Sequence, residues 1–295
     1  MDVRVAPGTY VIAVSGGVDS MTLLNLLAQQ PDVKLTVAHF DHGIRGDSIE
    51  DRRLVQKAAN FYGLPFVYGE GHLGLQASEA AAREARYAFL RRVQQASGAR
   101  AIITAHHQDD VLETAILNML RGTGQRGLTS LSNRHDMHRP LLNVSKQTVF
   151  EHAQAHDLVW REDSTNQDER YARNYVRRQV LPRLTPSDRE RLHELIVTAR
   201  SLQAEIDEII TTALHQQSRG GELDRTWFNH LPHASAREVL AGWLRAQGLR
   251  DFDKRKLERL VVAAKTARPG RQFDVARGWR LTVGKQRLAL AGAER

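Results

Sequence analysis

Three short segments of the chain concentrate residues able to hold phosphate or move protons. Ser15-Gly16-Gly17-Val18-Asp19-Ser20 follows the apolar run Tyr10 to Val14. Two glycines let a ligand come close to the backbone, and a helix starting there offers unpaired N–H groups and the positive end of its dipole, with two serine hydroxyls as further donors. The segment reads as a phosphate cradle. It lacks the Gly-Lys-Ser/Thr ending of a Walker A loop, which excludes the usual kinase and GTPase machinery. The other two segments are His39-Phe40-Asp41-His42-Gly43-Ile44-Arg45 and the run from Thr104 through His106, His107, Asp110 and Glu113 to Thr114. Asp110 and Glu113 stand three apart on an expected helix, so their carboxylates share a face suited to a metal or an ammonium group, and their repulsion requires a cation nearby. Zinc is disfavoured, because there is no cysteine and the adjacent His106 and His107 would diverge on a helix. Gly122, Gly124 and Gly127 spell GxGxxG, but they follow an expected helix where a dinucleotide fingerprint needs a strand; they read as a flexible loop.

The elements that must position these residues are legible over the first 125 residues. Expected strands run from Tyr10 to Val14, Leu35 to Phe40, Pro65 to Tyr68 and Arg100 to Thr104, alternating with expected helices from Asp19 to Gln29, Ser48 to Tyr62, Ser78 to Ala96 and Asp109 to Arg121. Four strand–helix repeats argue for an α/β fold with a doubly wound parallel sheet, whose ligands bind at the carboxyl ends of the strands. All three segments follow strands, so they should share one rim. Gly, Ser, Asn and His between Gly122 and Arg139 read as a loop interrupting the sheet domain. Pro186-Ser187 opens a long helical pattern to about Gln217, broken by Ser218-Arg219-Gly220-Gly221. Helices near Ala234 to Gln247 and Asp253 to Ala267, then three strand-like runs ending at Leu290, suggest a smaller α/β domain. The expected organisation is 1–185, a bridging helix 186–217, and a basic domain 218–295.

Composition narrows the class. The 295 residues are 41% hydrophobic and 26% charged, as in a folded protein, with no run of about 18 uncharged residues to cross a bilayer. The first residues do not read as a secretory leader, so the cytoplasm is the expected compartment and no membrane partner is expected. The absence of cysteine removes disulfides, thiolate nucleophiles, persulfide carriers and cysteine-held clusters. The net charge of +8 is localised: from Arg245 to Arg287, 13 Lys and Arg face 4 acids, a balance of +9, leaving −1 for the rest. Such a block suits a polyanion partner as well as a solvated surface. From Arg170 to Arg200, 8 Arg against 3 acids form a second stripe of +5.

The SGGxDS string resembles the PP-loop of the N-type ATP pyrophosphatases, an adenine nucleotide α-hydrolase-like fold. SGGVDS, HFDHGIR, SEAAAREARY (78–87), TAHHQDDVLET, the Leu120-Arg121-Gly122 turn, RPLL from Arg139 and EDSTNQDERYARNYVRRQVLPRL (162–184) occur in one order. That series resembles the tRNA(Ile)-lysidine synthetase family over about the first 185 residues. Ile44 and Ser130 depart from its common pattern, and the chain is similar to the shorter members, which carry one C-terminal domain.

The resemblance implies ATP-dependent ligation of lysine to C2 of the wobble cytidine of an isoleucine tRNA with a CAU anticodon. It implies an adenylated cytidine intermediate and release of pyrophosphate and AMP. Ser15, Gly16, Gly17, Val18, Asp19 and Ser20 would bind ATP, with Asp19 orienting the loop or a magnesium ion. Asp41, Asp110 and Glu113 would bind Mg2+ or the lysine ammonium; Arg45, His106 and His107 would face phosphate charge or the cytosine. Tyr171, Arg173, Asn174, Arg177 and Arg178 would contact tRNA. Related PP-loop thiolases and amidotransferase-type synthetases need sulfur carriers, clusters or a glutaminase nucleophile that a chain without cysteine does not carry. A nucleotide-responsive RNA-binding protein without turnover is the non-enzymatic alternative. The sequence leaves the oligomeric state open, a homodimer included.

Overall fold

The computed structural model describes residues 1–43, 48–71, 79–161, 172–249, 252–276 and 278–292. They form two compact units, Met1–Ala199 and Arg200–Arg295.

The first unit is built on strand β1 (Gly8–Ala13), whose Tyr10, Val11 and Ile12 are fully buried. A strand apolar on both faces belongs at the centre of a sheet covered on both sides. It pairs in parallel with β2 (Val33–Asp41) and β4 (Ala101–Ile103), with β3 (Phe66–Glu70) beyond β2 and β5 (Met137–His138) beyond β4. The order is β3-β2-β1-β4-β5. Because side chains alternate along a strand, Tyr10 and Ile12 join one core and Val11 the other. The first core holds Leu23, Leu24 and Leu27 of α1 (Val18–Ala28), Val55 of α2 (Ser48–Phe61) and Val149 of α6 (Lys146–Ala155). The second holds Phe89, Leu90 and Val93 of α3 (Glu79–Ser97). Helices on both faces make the sheet doubly wound. The chain turns from β1 to β2 on one side and later to β4 on the other, so the crevice at the carboxyl ends of β1 and β4 is the topological switch point.

The reading of 122–139 as an interrupting loop is corrected. The segment contains a single helical turn, α5 (Gln125–Leu128), and the fifth strand, and so extends the sheet. The two-residue strand is too short to leave an apolar pattern. Gly127 sits tightly on this turn: a Cβ there would lie 1.9 Å from Thr123 Oγ1. Gly127 therefore serves packing, while a Cβ at Gly122 or Gly124 would meet nothing within 4 Å. Helix α6 also escaped the sequence reading, although Ser145 caps it by accepting from the Thr148 N–H at 3.1 Å.

Helix α4 (Gln108–Leu120) follows β4 and packs Val111, Leu112, Ala115 and Ile116 against Val176, Leu181 and Ile196. Val176 belongs to a wide helical turn (Val176–Val180) after the short helix α7 (Ala172–Tyr175). Helix α8 (Pro186–Gln217) has the bounds its start and stop signals predict.

The second unit holds an antiparallel sheet of order β6-β7-β10-β9-β8: β6 (Ser218–Arg219), β7 (Glu222–Asp224), β8 (Arg271–Ala276), β9 (Trp279–Val283) and β10 (Arg287–Gly292). It also holds α9 (Arg225–His230), α10 (His233–Ala246) and α11 (Lys254–Thr266). Trp243, Phe228, Leu240, Val261 and Leu281 form its core. The buried Arg225 guanidinium donates to the carbonyls of Ala264 (2.8 Å), Ala267 (2.7 Å) and Gly284 (2.8 Å), tying the end of α11 to the β9–β10 turn. A guanidinium at a helix C-terminus satisfies carbonyls the helix leaves unpaired. Among the described residues, no helix is long and apolar enough to cross a membrane.

Candidate active site

The turn after β1 is held by its own serines. Ser20 Oγ donates to the Gly17 carbonyl (2.9 Å) and accepts from the Ser15 N–H (3.1 Å), closing the loop onto the first turn of α1. Gly16 has φ +96°, a left-handed backbone that glycine adopts without strain. Gly17 begins α1 and no side chain caps it, so the first-turn N–H groups are open to an anion. The chain returns to this turn from far away: the Arg161 N–H donates to the Gly16 carbonyl (3.0 Å), and Arg161 Nε donates to Asp51 Oδ1 (2.7 Å).

Asp19, one residue into α1, meets two basic side chains. Lys146 Nζ, at the start of α6, donates to its Oδ1 at 2.5 Å, and His107 Nε2 lies 3.6 Å from Oδ2. His107 Nε2 is also 3.6 Å from Asp110 Oδ2, so one imidazole bridges the phosphate turn and α4. Burial alone would raise the Asp19 carboxyl, but the hydrogen bond and charge of His107, joined by Lys146, outweigh it and draw the group to about 2. The converse holds for His107: burial opposes its charge, yet Asp19 and Asp110 raise it above the ordinary histidine value. Asp110 is lowered, burial again being outweighed by His107. It also accepts from the His107 backbone N–H at 3.0 Å. Neighbouring His106 behaves oppositely. Desolvation, reinforced by the charges of Arg139, Arg86 and Arg83, pushes it down to about 3 despite Asp110, and Nδ1 is 2.8 Å from Thr104 Oγ1. The site thus favours the charged form of His107 and disfavours that of His106. Both precede α4 rather than lying on it.

Glu113 is fully buried. Its Oε1 accepts from Arg177 Nε (2.6 Å), and its Oε2 from Arg173 Nε (3.1 Å) and Arg177 Nη2 (3.0 Å). Arg177 Nη2 reaches Asp110 Oδ1 at 3.5 Å. Two arginines thus supply positive charge beside this carboxylate pair. Among the described residues no group of three or more His, Cys, Asp or Glu is placed to hold a metal ion. Arg173 and Arg177, expected on RNA, are engaged with these carboxylates; Arg178 is exposed and Asn174 half-buried. Asp41 ends β2, beside the central strand, and its Oδ1 accepts from the Gly43 N–H (2.8 Å). Arg45 and Tyr171 lie outside the described residues.

The site therefore gathers Ser15 to Ser20, His106, His107, Asp110, Glu113, Arg173 and Arg177 through direct contacts or adjacent positions. Lys146 was missed by the sequence reading. Its one signal is the Ser145 helix start just after the RPLL run.

Residues 4–184 match the family model of the PP-loop domain. The tRNA(Ile)-lysidine synthase of Thermotoga sp. (strain RQ2) is 33% identical over 213 residues, 68% of this chain and 51% of the relative. That of Ralstonia nicotianae is 34% identical over 267 residues, 85% of this chain and 58% of the relative. A U34-tRNA thiolase structure from Methanococcus maripaludis has a TM-score of 0.45 and 17% identity, with 84% of this chain and 75% of that chain covered. The chain spans a little over half the length of these two curated relatives.

Proposed function

The chain belongs to the PP-loop domain family, and from that premise we propose that it ligates lysine to C2 of the wobble cytidine of an isoleucine tRNA bearing a CAU anticodon, at the expense of ATP. The observation carrying this reading is the uncapped start of α1 at Gly17, flanked by His107 and Lys146, in a chain whose relatives are named tRNA(Ile)-lysidine synthases. In this reading the N–H groups and hydroxyls of Ser15 to Ser20 bind the triphosphate. The cytosine C2 oxygen attacks the α-phosphorus and pyrophosphate departs, leaving an adenylated base. The lysine ε-amine then attacks C2, AMP leaves with the oxygen, and the nitrogen loses its proton.

The residues divide the labour by charge. Lys146, joined by His107, whose charged form Asp19 and Asp110 favour, offsets charge on the leaving pyrophosphate, an electrostatic contribution fixed before reaction. Neutral His106 orients by hydrogen bonding rather than by charge. Magnesium is proposed only as the counter-ion of the triphosphate, since Lys146 already pairs with Asp19. Arg178 and the basic block Arg245 to Arg287 are assigned to the RNA backbone, whose binding is salt-dependent; the proposed arrangement is a catalytic part, 1–185, with helix 186–217 leading to an RNA-binding part, 218–295. The cytoplasm is the proposed compartment.

The test mixes purified protein, ATP, labelled lysine and unmodified tRNA transcripts. Label is expected on the isoleucine transcript and not on elongator methionine tRNA. Equal labelling of both refutes the specificity. Absence of pyrophosphate with every transcript refutes catalysis and favours an RNA-binding protein without turnover.

A further inference from the structure

A peptide group can present either its N–H or its carbonyl to a ligand, and in a trans peptide the two point in opposite directions. The peptide joining Gly16 to Gly17 decides which of them the phosphate turn offers. With glycine on both sides, little but its hydrogen bonds resists a rotation that exchanges the two. In the structure its carbonyl is turned toward Arg161, accepting from that residue's N–H at 3.0 Å, and its N–H, that of Gly17, faces Ser15 Oγ at 3.4 Å. Ser15 is exposed, so a phosphate oxygen has access to the Gly17 N–H and replaces a long contact with a charge-assisted one.

Arg161 is itself held on two flanks. Its Nε donates to Asp51 Oδ1 at 2.7 Å, and Asp51, on α2, has a side chain 14% exposed. The same Asp51 backs the turn: a Cβ on Gly16 would lie 3.7 Å from Asp51 Cβ and 3.7 Å from Val55 Cγ2. On the other flank, Trp160 packs edge-to-face on Phe150 of α6, with ring centroids 5.7 Å apart. The N–H of residue 161 is therefore fixed by α2 and α6, and through it the orientation of a peptide far earlier in the chain. The ion pair, its arginine side chain 39% exposed, adds little stability of its own. Its larger effect is geometric, because it stands where it sets the direction of a phosphate donor.

We propose that Arg161 is a positioning residue that latches the Gly16–Gly17 peptide with its N–H toward the phosphates; without the latch the carbonyl oxygen turns inward and repels them. This rests on the reading that the turn binds the triphosphate, and the experiment separates the two. Binding of ATP and of adenosine is measured by calorimetry for the wild type, for Arg161→Pro, which removes the N–H, and for Arg161→Ala, which keeps the N–H and removes its anchor. Arg161→Pro should weaken ATP by at least about tenfold, the scale of one hydrogen bond to a charged oxygen, and leave adenosine within about twofold of wild type. Arg161→Ala should weaken ATP by at least about threefold, and Arg161→Lys, which keeps a cation for Asp51, should recover most of that loss. Equal losses for ATP and adenosine assign Arg161 to general packing and overturn the proposal. So does an ATP affinity within about twofold of wild type in Arg161→Pro. Should proline prevent folding, as judged by circular dichroism, Arg161→Ala decides, and an unchanged ATP affinity there overturns the latch. If the wild type binds no ATP, the nucleotide reading of the turn has failed and the latch with it; if the wild type binds ATP and the variants match it, the latch alone has failed.

Discussion

Replacing Glu113 by glutamine keeps the shape of the side chain and removes the charge between two guanidiniums. Glu113 has a side chain 1% exposed, while those of Arg173 and Arg177 are 23% and 37% exposed. Leaving one member of a buried pair alone costs about 3–5 kcal/mol. Arg177 is more than a third exposed and can turn toward water, so the figure must be discounted; about 2 kcal/mol is expected. For a unit the size of Met1–Ala199 this lowers Tm by about 4–8 °C, at about 2–4 °C per kcal/mol. The assay is thermal unfolding followed by circular dichroism, with Arg177→Met and the double variant completing a cycle. A coupling of about 1 kcal/mol or more between positions 113 and 177 is expected, and lysine transfer should fall in all three variants. A Tm within about 1 °C of wild type for Glu113→Gln, or a coupling below about 0.5 kcal/mol, would refute the reasoning that these arginines are held by this carboxylate.

Two further outcomes are expected. Lys146→Met should slow pyrophosphate release by at least about tenfold, because a preset charge is lost, while Tm changes little for a pair whose lysine side chain is 40% exposed; a variant with wild-type release would remove Lys146 from the phosphate turn. The Asp19 carboxyl, drawn from 3.8 to about 2, contributes stability that is complete above about pH 4 and lost as pH falls toward 2, about 2 kcal/mol in all. Urea unfolding at pH 5, 3 and 2 should show this extra loss in wild type and not in Asp19→Asn; parallel losses in the two proteins would contradict the depressed value.

Most of the parallel sheet was legible because its strands are long apolar runs closed by turn residues. Gly8–Ala13 and Val33–Asp41 contain the expected cores almost whole. The rim rule then brings the glycine turn and the His106 to Glu113 run together. Met137–His138 was not legible, since two residues carry no periodicity and only the partner strand defines them. Lys146 was invisible for a related reason. It is 127 residues from Asp19, and no local pattern records a contact made by tertiary packing alone. Reading Asp110 and Glu113 as a pair in need of a cation was sound in its electrostatics. The cation came from Arg173 and Arg177, about 60 positions away, where local spacing supplies no information.

The two shortest strands among the described residues, Met137–His138 and Ser218–Arg219, each close one side of their sheet. A border only two residues long offers a neighbouring chain almost no unpaired backbone to extend. Runaway strand addition between copies is thereby denied a template along that border of each sheet, without any need for charged gatekeepers there.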